Sequence, residues 1–381
     1  MRFLLAAFAA GALLAAPVHA PRAALEARSL AFRFILERQI VFPMVIDGQP
    51  AEAWLDSGAS VSVVDSAFAR RIGLELGAPV NAHGVGGQVR DVRWAKADLL
   101  AGDLAMAGRH VVVMDLSAVQ RKLGRPVEVL LGRDVFDKAV VDIDFQAQRI
   151  RLTPRADFAP PAADPLPLQH SGELRSVPIA VGGVVTPAIF DLGNAGGLLI
   201  DRQYADRNGF LDGHRLSTTL GVGADGARED TQTALDGVKL GGTQFDGVPT
   251  AATPNLASEA PANVGLQLLS RFRLTIDFGG DRIWLSPYAD AQTRPFRKNR
   301  AGLSLAPDAG RLVVDHVARG SPAERAGWRA GEAITALDGR PIPAGFAASE
   351  SGGWVFGPAG RTVSLTLADG QTRKLTLADY Y

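Results

Sequence analysis

Asp56 closes the run Ala53-Trp54-Leu55-Asp56-Ser57-Gly58, and Asp191 closes Ala188-Ile189-Phe190-Asp191-Leu192-Gly193. Each puts a carboxylate at the end of an apolar stretch, on a bend where glycine follows. Taken singly, either is an ordinary turn, because Asp, Ser and Gly are what turns use. As a pair they define a chemistry. Two carboxylates held close together cannot both ionise at moderate cost, so they share one proton, the first ionising below the ordinary carboxylate range and the second above it. The ionised partner can draw a proton from a water between them, while the protonated partner hydrogen-bonds a carbonyl as that water attacks. The roles belong to the pair rather than to either residue. Neither a metal nor a cofactor is needed. The six histidines are scattered, with none at zinc-site spacing.

The elements that must position these aspartates also repeat. Val64-Asp65 matches Ile200-Asp201, and "FARRIGL" from Phe68 matches "YADRNGF" from Tyr204; both predict a strand followed by a short helix ending at glycine. "VEVLLGRDVF", with Gly132, matches "ANVGLQLL", with Gly265. "VVDIDFQAQRIRL" from Val140 matches "LTIDFGGDRIWL" from Leu274. The intervening segments alternate apolar and polar residues between glycines, which is hairpin chemistry. Two mainly β lobes related by a pseudo-twofold are expected, over 31–155 and 168–290. Between them "PRADFAPPAADPLP" predicts a proline-rich linker, 156–167, outside either sheet. Asp142, Asp144 and Asp277 sit in strand-like runs and are expected to fix sheet ends or salt links.

This ordered repeat resembles the aspartic peptidase superfamily, specifically the bacterial single-chain relatives of retroviral proteases. The resemblance implies two retropepsin/pepsin-like β-barrel lobes with Asp56 and Asp191 as catalytic residues. Ser57, Gly58, Gly193, Asn194, Gly132 and Gly265 would support the active-site loops. Glycine-rich flaps would be built around Gly84, Gly86 and Gly87 and around Gly221 and Gly223. Leu130-Leu131-Gly132 fits the family's brace of two apolar residues and glycine; in the second lobe Asn263 takes one apolar place before Val264-Gly265. The second lobe also departs at Leu192, which lacks the hydroxyl that in the family locks the two loops together. Asn194 is the candidate substitute donor.

From Asn299 the texture changes. "AGLSLAPDAGRLVVDHVARGSPAERAGWRAGEAITALDGRPI" predicts a strand through Val313-Val314 and a helix opening at Ser321-Pro322 and closing at Gly327. This resembles a PDZ domain, over 297–381. The resemblance implies an added-strand peptide groove, with Ala301, Gly302 and Leu303 holding a ligand's C-terminal carboxylate. The stretch "AGFAASESGGWVFGPAG" leaves little room for a regular groove-lining helix, so a packing or dimerisation module with an empty groove stays open.

Lys plus Arg and Asp plus Glu each total 40, so net charge is zero and no basic excess points to nucleic acid or an anionic membrane. The leader "MRFLLAAFAAGALLAAPVHA", residues 1–20, reads as a signal peptide, and no segment is apolar for the roughly 20 residues a stable membrane span needs. With no cysteine there is neither a disulfide nor a lipidated cysteine. The combined expectation is a periplasmic or secreted aspartic endopeptidase acting on polypeptides, with the PDZ domain recruiting protein substrate. The alternatives are a catalytically weak or inactive peptide-binding protein, favoured by Leu192, or a protease active only as a homodimer of first lobes.

Overall fold

The computed structural model describes residues 29–83, 88–89, 91–117, 119–120, 125–223, 226–256 and 258–381. The expected leader and the flap residues Gly84, Gly86 and Gly87 lie outside these. The protein is mainly β, with barrel-like sheets in both halves of the repeat and a further β unit behind them.

The strands follow from the sequence pattern. In Arg93–Ala101 the residues Ala95, Ala97, Leu99 and Ala101 point inward while their neighbours face out, the period of two that a half-buried strand requires. Tight turns set the registers. Gln39–Ile46 returns as Gln49–Leu55 through Asp47 (φ 46°) and Gly48 (φ 75°). At the corresponding place, Leu174–Val181 returns as Val184–Phe190 through Gly182 (φ 54°) and Gly183 (φ 82°). Two successive positive φ values match the strand twist, which is why Asp-Gly and Gly-Gly stand there. The short helices Ser66–Ile72 and Arg202–Arg207 start on the side chains of Asp65 and Asp201, which accept N–H bonds at the N-cap.

The two halves join through one six-stranded sheet. Ala139–Asp144 of the first half pairs antiparallel with Phe272–Asp277 of the second, Asp142 facing Thr275. Outside them lie Arg149–Pro154 and Arg282–Pro287, and at the edges Leu30–Ala31 and Leu166–Pro167. The expectation that 156–167 stays outside the sheets is therefore corrected at its end: Leu166 pairs with Ile283 and Pro167 with Arg282, an edge position where a missing proline N–H costs nothing. Both halves contribute to one hydrophobic core. Phe136 stacks on Phe278 at 5.0 Å, and Phe278 meets the edge of Phe190, the residue before Asp191, at 6.0 Å. Burying this joint fixes one aspartate loop relative to the other half.

The chain then runs to a C-terminal sheet ordered Leu303–Asp308, Arg311–Val317, Ala333–Leu337, Thr362–Leu367 and Thr372–Thr376. It has its own core around Leu303, Leu312, Trp328, Ile334 and Leu365. The helix Pro322–Arg325 opens with proline inside its first turn and Ser321 as its cap. The stretch expected to resist a regular helix forms two 3-10 turns, Phe346–Ala348 and Glu350–Phe356. The connection is clamped rather than loose. Buried Arg271 donates to the carbonyls of Ala291 and Arg294 and lies 3.6 Å from the ring centre of Phe296. Gln267 bonds both backbone groups of Arg297.

Among the described residues no helix is long and apolar enough to cross a membrane.

Candidate active site

Each aspartate leaves a strand whose parallel neighbour ends in glycine. Gln49–Leu55 lies beside Val129–Leu131, and Asp56 N–H donates to Leu131 O at 2.9 Å. Val184–Phe190 lies beside Ala262–Val264, and Asp191 N–H donates to Val264 O at 3.1 Å. The loops then fold over Gly132 and Gly265. A Cβ on Gly132 would sit 2.5 Å from the backbone of Val61, and one on Gly265 would sit 2.6 Å from Asn194 and from Gly196 O. Any other residue would push the aspartate loop away from its brace.

The two loops meet face to face. A Cβ on Gly58 would lie 2.5 Å from the carboxyl carbon of Asp191, and one on Gly193 would fall directly on the carboxylate of Asp56. Each carboxylate is thus seated on the glycine of the opposite loop, which brings Asp56 and Asp191 together and leaves a hydrogen bond between their side chains. Ser57, buried, supplies the cross-link: its hydroxyl donates to Phe190 O at 2.8 Å and accepts from Leu192 N–H at 2.9 Å. Leu192 packs fully buried in the shared core and sends no reciprocal hydroxyl back. Asn194, expected as the substitute donor, stays within its own half. Its side chain donates to Asn263 Oδ1 at 2.8 Å and accepts from Gly196 N–H at 2.8 Å.

Electrostatically the pair is uneven. Burial, and then the Asp191 charge beside it, push the Asp56 carboxyl up to about 8. Its carboxylate accepts Gly58 N–H at 3.0 Å. Burial also raises Asp191, but three donors oppose the shift: Asn263 Nδ2 at 2.6 Å, Gly193 N–H at 2.8 Å and Asn194 N–H at 3.1 Å. Hydrogen bonds to a carboxylate favour its charged form. Such a pair carries one proton across a wide pH range, which is the state that general acid–base attack on a carbonyl by water requires. Asn263 is the residue that sequence reasoning registered only as a lost apolar place. Its polarity next to the brace glycine was the available signal.

The expected flaps are placed in part. Ala82–His83 pairs with Gln88–Val89 around the residues outside the description. In the second half Ser217–Gly223 pairs with Gly226–Leu235, Gly221 opposite Arg228 and Gly223 opposite Gly226. A Cβ on Gly221 would strike Asp230, so this glycine serves close packing. The base of this hairpin rests on the C-terminal unit. Ser217 Oγ donates to Arg319 O at 2.5 Å, Arg319 N–H donates to Thr218 Oγ1 at 3.1 Å, and His316 Nε2 lies 3.1 Å from Thr218 Oγ1 and 3.0 Å from Glu229. Ala234 packs against Ala318, Tyr380 and Tyr381.

In the loop expected to hold a carboxylate, the N–H groups of Ala301 and Gly302 already donate to Asn299 Oδ1, at 3.2 and 2.9 Å, and Arg300 N–H donates to Val355 O at 2.7 Å. Leu303 is buried at the start of its strand, and its carbonyl accepts from Asn299 Nδ2 at 2.9 Å. Asp142, Asp144 and Asp277 hold the joining sheet, through Thr275, through Arg273 and Tyr288, and through Arg155 and Arg282.

Among the described residues no group of three or more His, Cys, Asp or Glu gathers in a way that could hold a metal ion. Residues 42–135, which carry Asp56, Ser57, Gly58 and Gly132, match the family model described as aspartyl protease. That match supports a protease, a peptidase hydrolase at the general level. No curated protein matches the chain.

Proposed function

We propose that this protein is an exported aspartic endopeptidase whose single chain supplies both halves of the catalytic pair, Asp56 and Asp191. The observation that carries the reading is the reciprocal seating of each carboxylate on the other loop's glycine, Asp191 on Gly58 and Asp56 on Gly193. Enclosing two carboxylates against each other is costly and serves no packing purpose, so the arrangement reads as functional. Ser57 links both loops from one side, which supports a working site despite Leu192. Leu192 favours a second reading, a peptide-binding protein that keeps the cleft without turnover.

The C-terminal unit, PDZ-like by sequence, acts in this reading as a brace for the second hairpin rather than as a receptor for a free C-terminus. Two observations support this. The N–H groups of its expected carboxylate loop are engaged by Asn299, and Arg319 and His316 hold the base of the hairpin. The substrate is an extended polypeptide lying between the hairpins. Incubating purified protein with unfolded proteins and peptide libraries from acidic to mildly alkaline pH tests the reading: internal peptide bonds should be cleaved, and no cleavage under any condition would leave the peptide-binding alternative.

A further inference from the structure

The two halves of the site differ at one position beside the carboxylates. Where the first half has Leu130, opposite Trp54 in the strand pairing, the second has Asn263, opposite Ile189. Asn263 is 7% exposed. Its orientation is dictated by a chain of hydrogen bonds that begins at a group able only to donate. Gly196 N–H points at Asn194, so Asn194 must turn its oxygen there; its amide nitrogen then faces Asn263 and must meet that residue's oxygen. Asn263 is left presenting N–H to Asp191 Oδ2, at 2.6 Å. A donor fixed in this way favours a carboxylate and opposes a neutral carboxyl. Leu130 offers Asp56 nothing comparable.

We propose, resting on the peptidase reading above, that Asn263 is a positioning residue that fixes the negative charge of the pair on Asp191, leaves the proton on Asp56, and so gives the two aspartates distinct roles. Asp191 takes a proton from water as its oxygen bonds to the substrate carbonyl carbon. The carbonyl π bond opens and its oxygen takes the proton of Asp56. In the second step the C–N bond breaks as nitrogen takes the proton now on Asp191, and a hydroxyl of the tetrahedral intermediate returns a proton to Asp56. Acid and amine leave, and the starting protonation is restored. The groups facing Asp191 are Asp56, the Asn263 amide and the N–H groups of Gly193 and Asn194; those facing Asp56 are Asp191 and the N–H groups of Gly58 and Ala59. The asymmetry therefore rests on an amide rather than on a third charge. The high position of Asp56 agrees with it.

The test reads protonation without requiring turnover. Aspartate carboxyl carbons are labelled with 13C and titrated by NMR in the full chain, with the two resonances assigned by their loss in Asp56→Asn and Asp191→Asn. The first deprotonation of the pair should fall on Asp191. In Asn263→Leu it should move upward by roughly one pH unit or more, the worth of a hydrogen bond to a charged group. The acid limb of kcat/KM should move with it, kcat falling more than KM changes. Asn263→Val serves as a second donor-free variant should the leucine fail to fold. A folded donor-free variant with the wild-type titration, or a wild type in which Asp56 ionises first, overturns the proposal. Uneven titration in a protein that cleaves nothing would instead sink the peptidase reading and leave this assignment standing.

Discussion

The backbone N–H of Leu192 donates to the hydroxyl of Ser57 at 2.9 Å, and the same hydroxyl donates to the carbonyl of Phe190. One side chain from the first loop thus grips the second loop on both sides of Asp191. Leu192 cannot return the contact, and its side chain goes into the core instead. All of the polar cross-linking described between the loops passes through Ser57 and the aspartates themselves.

Replacing Ser57 with alanine should therefore be unusually costly for so small a change. Phe190 O and Leu192 N–H would each lose a buried partner, at about 1–3 kcal/mol per group. Thermal unfolding should show a clear drop in Tm, with peptidase activity falling further than the loss of folded protein explains. A Ser57→Ala protein with unchanged Tm and activity would mean that the loops are held by packing alone.

The glycine seats make a sharper prediction. Gly58→Ala and Gly193→Ala each place a methyl where the opposite carboxylate lies. The carboxylates would be forced apart by a fraction of an ångström to an ångström, and displacements of that size cost about a hundredfold in rate. Steady-state kinetics on a peptide should show kcat/KM reduced by about that factor or more, with circular dichroism unchanged. Activity close to wild type in either variant would place the reacting atoms elsewhere.

The pH profile follows from the uneven pair. Asp56 must keep its proton, and it is raised to about 8 by burial and by the Asp191 charge. Activity should therefore fall as pH rises through about 8, when the second carboxyl ionises. Asp191 must be ionised, and burial raises it above the ordinary carboxylate value. Activity should also fall on the acid side, above the range of a free aspartate. The resulting bell in kcat/KM extends through neutrality. An optimum at pH 2–3 with no activity at pH 7 would show that the carboxylates are far better solvated than the structure makes them.

The hairpin Ser217–Gly223 and Gly226–Leu235 should owe part of its order to the C-terminal unit. Ser217→Ala with Thr218→Val removes the hydroxyls that meet Arg319 and His316. At about 0.5–1.5 kcal/mol per bond, amide hydrogen exchange across the hairpin should speed by roughly tenfold or more, while exchange in the C-terminal sheet stays unchanged. Identical exchange in the hairpin would mean that the contact is incidental.

The parts of this architecture that repeat were legible in the sequence. Asp56 with Asp191 and Gly132 with Gly265 recur in order, and the helix capped by Asp65 has its counterpart at Asp201, because each half must solve the same local problem; the first helix ends at Gly73 as expected, whereas the second ends at Asn208, one residue before Gly209. What escaped depends on partners far apart in the chain. Asn263 looked like a defect in an apolar brace, since its meaning lies in Asn194 and Asp191 across the loop. Leu166 and Pro167 looked like linker, because an edge strand of two residues carries no period of its own; their pairing is set by Ile283 and Arg282. Ala301 and Gly302 carried the pattern of a carboxylate loop, but the pattern says nothing of Asn299 accepting their N–H groups. The hold of Arg319 and His316 on the second hairpin comes from packing between units, which no local spacing encodes.

The central claim is that Asp56 and Asp191 of one chain act as a single catalytic pair. Cleavage of one defined peptide by the wild type, Asp56→Asn and Asp191→Asn, at equal folded concentration, tests it most directly. Each substitution removes half of the machinery for activating water, so both variants should lose activity by orders of magnitude. An Asp191→Asn protein that cleaves at the wild-type rate while Asp56→Asn is dead would contradict the claim and move the site to two first halves paired between chains.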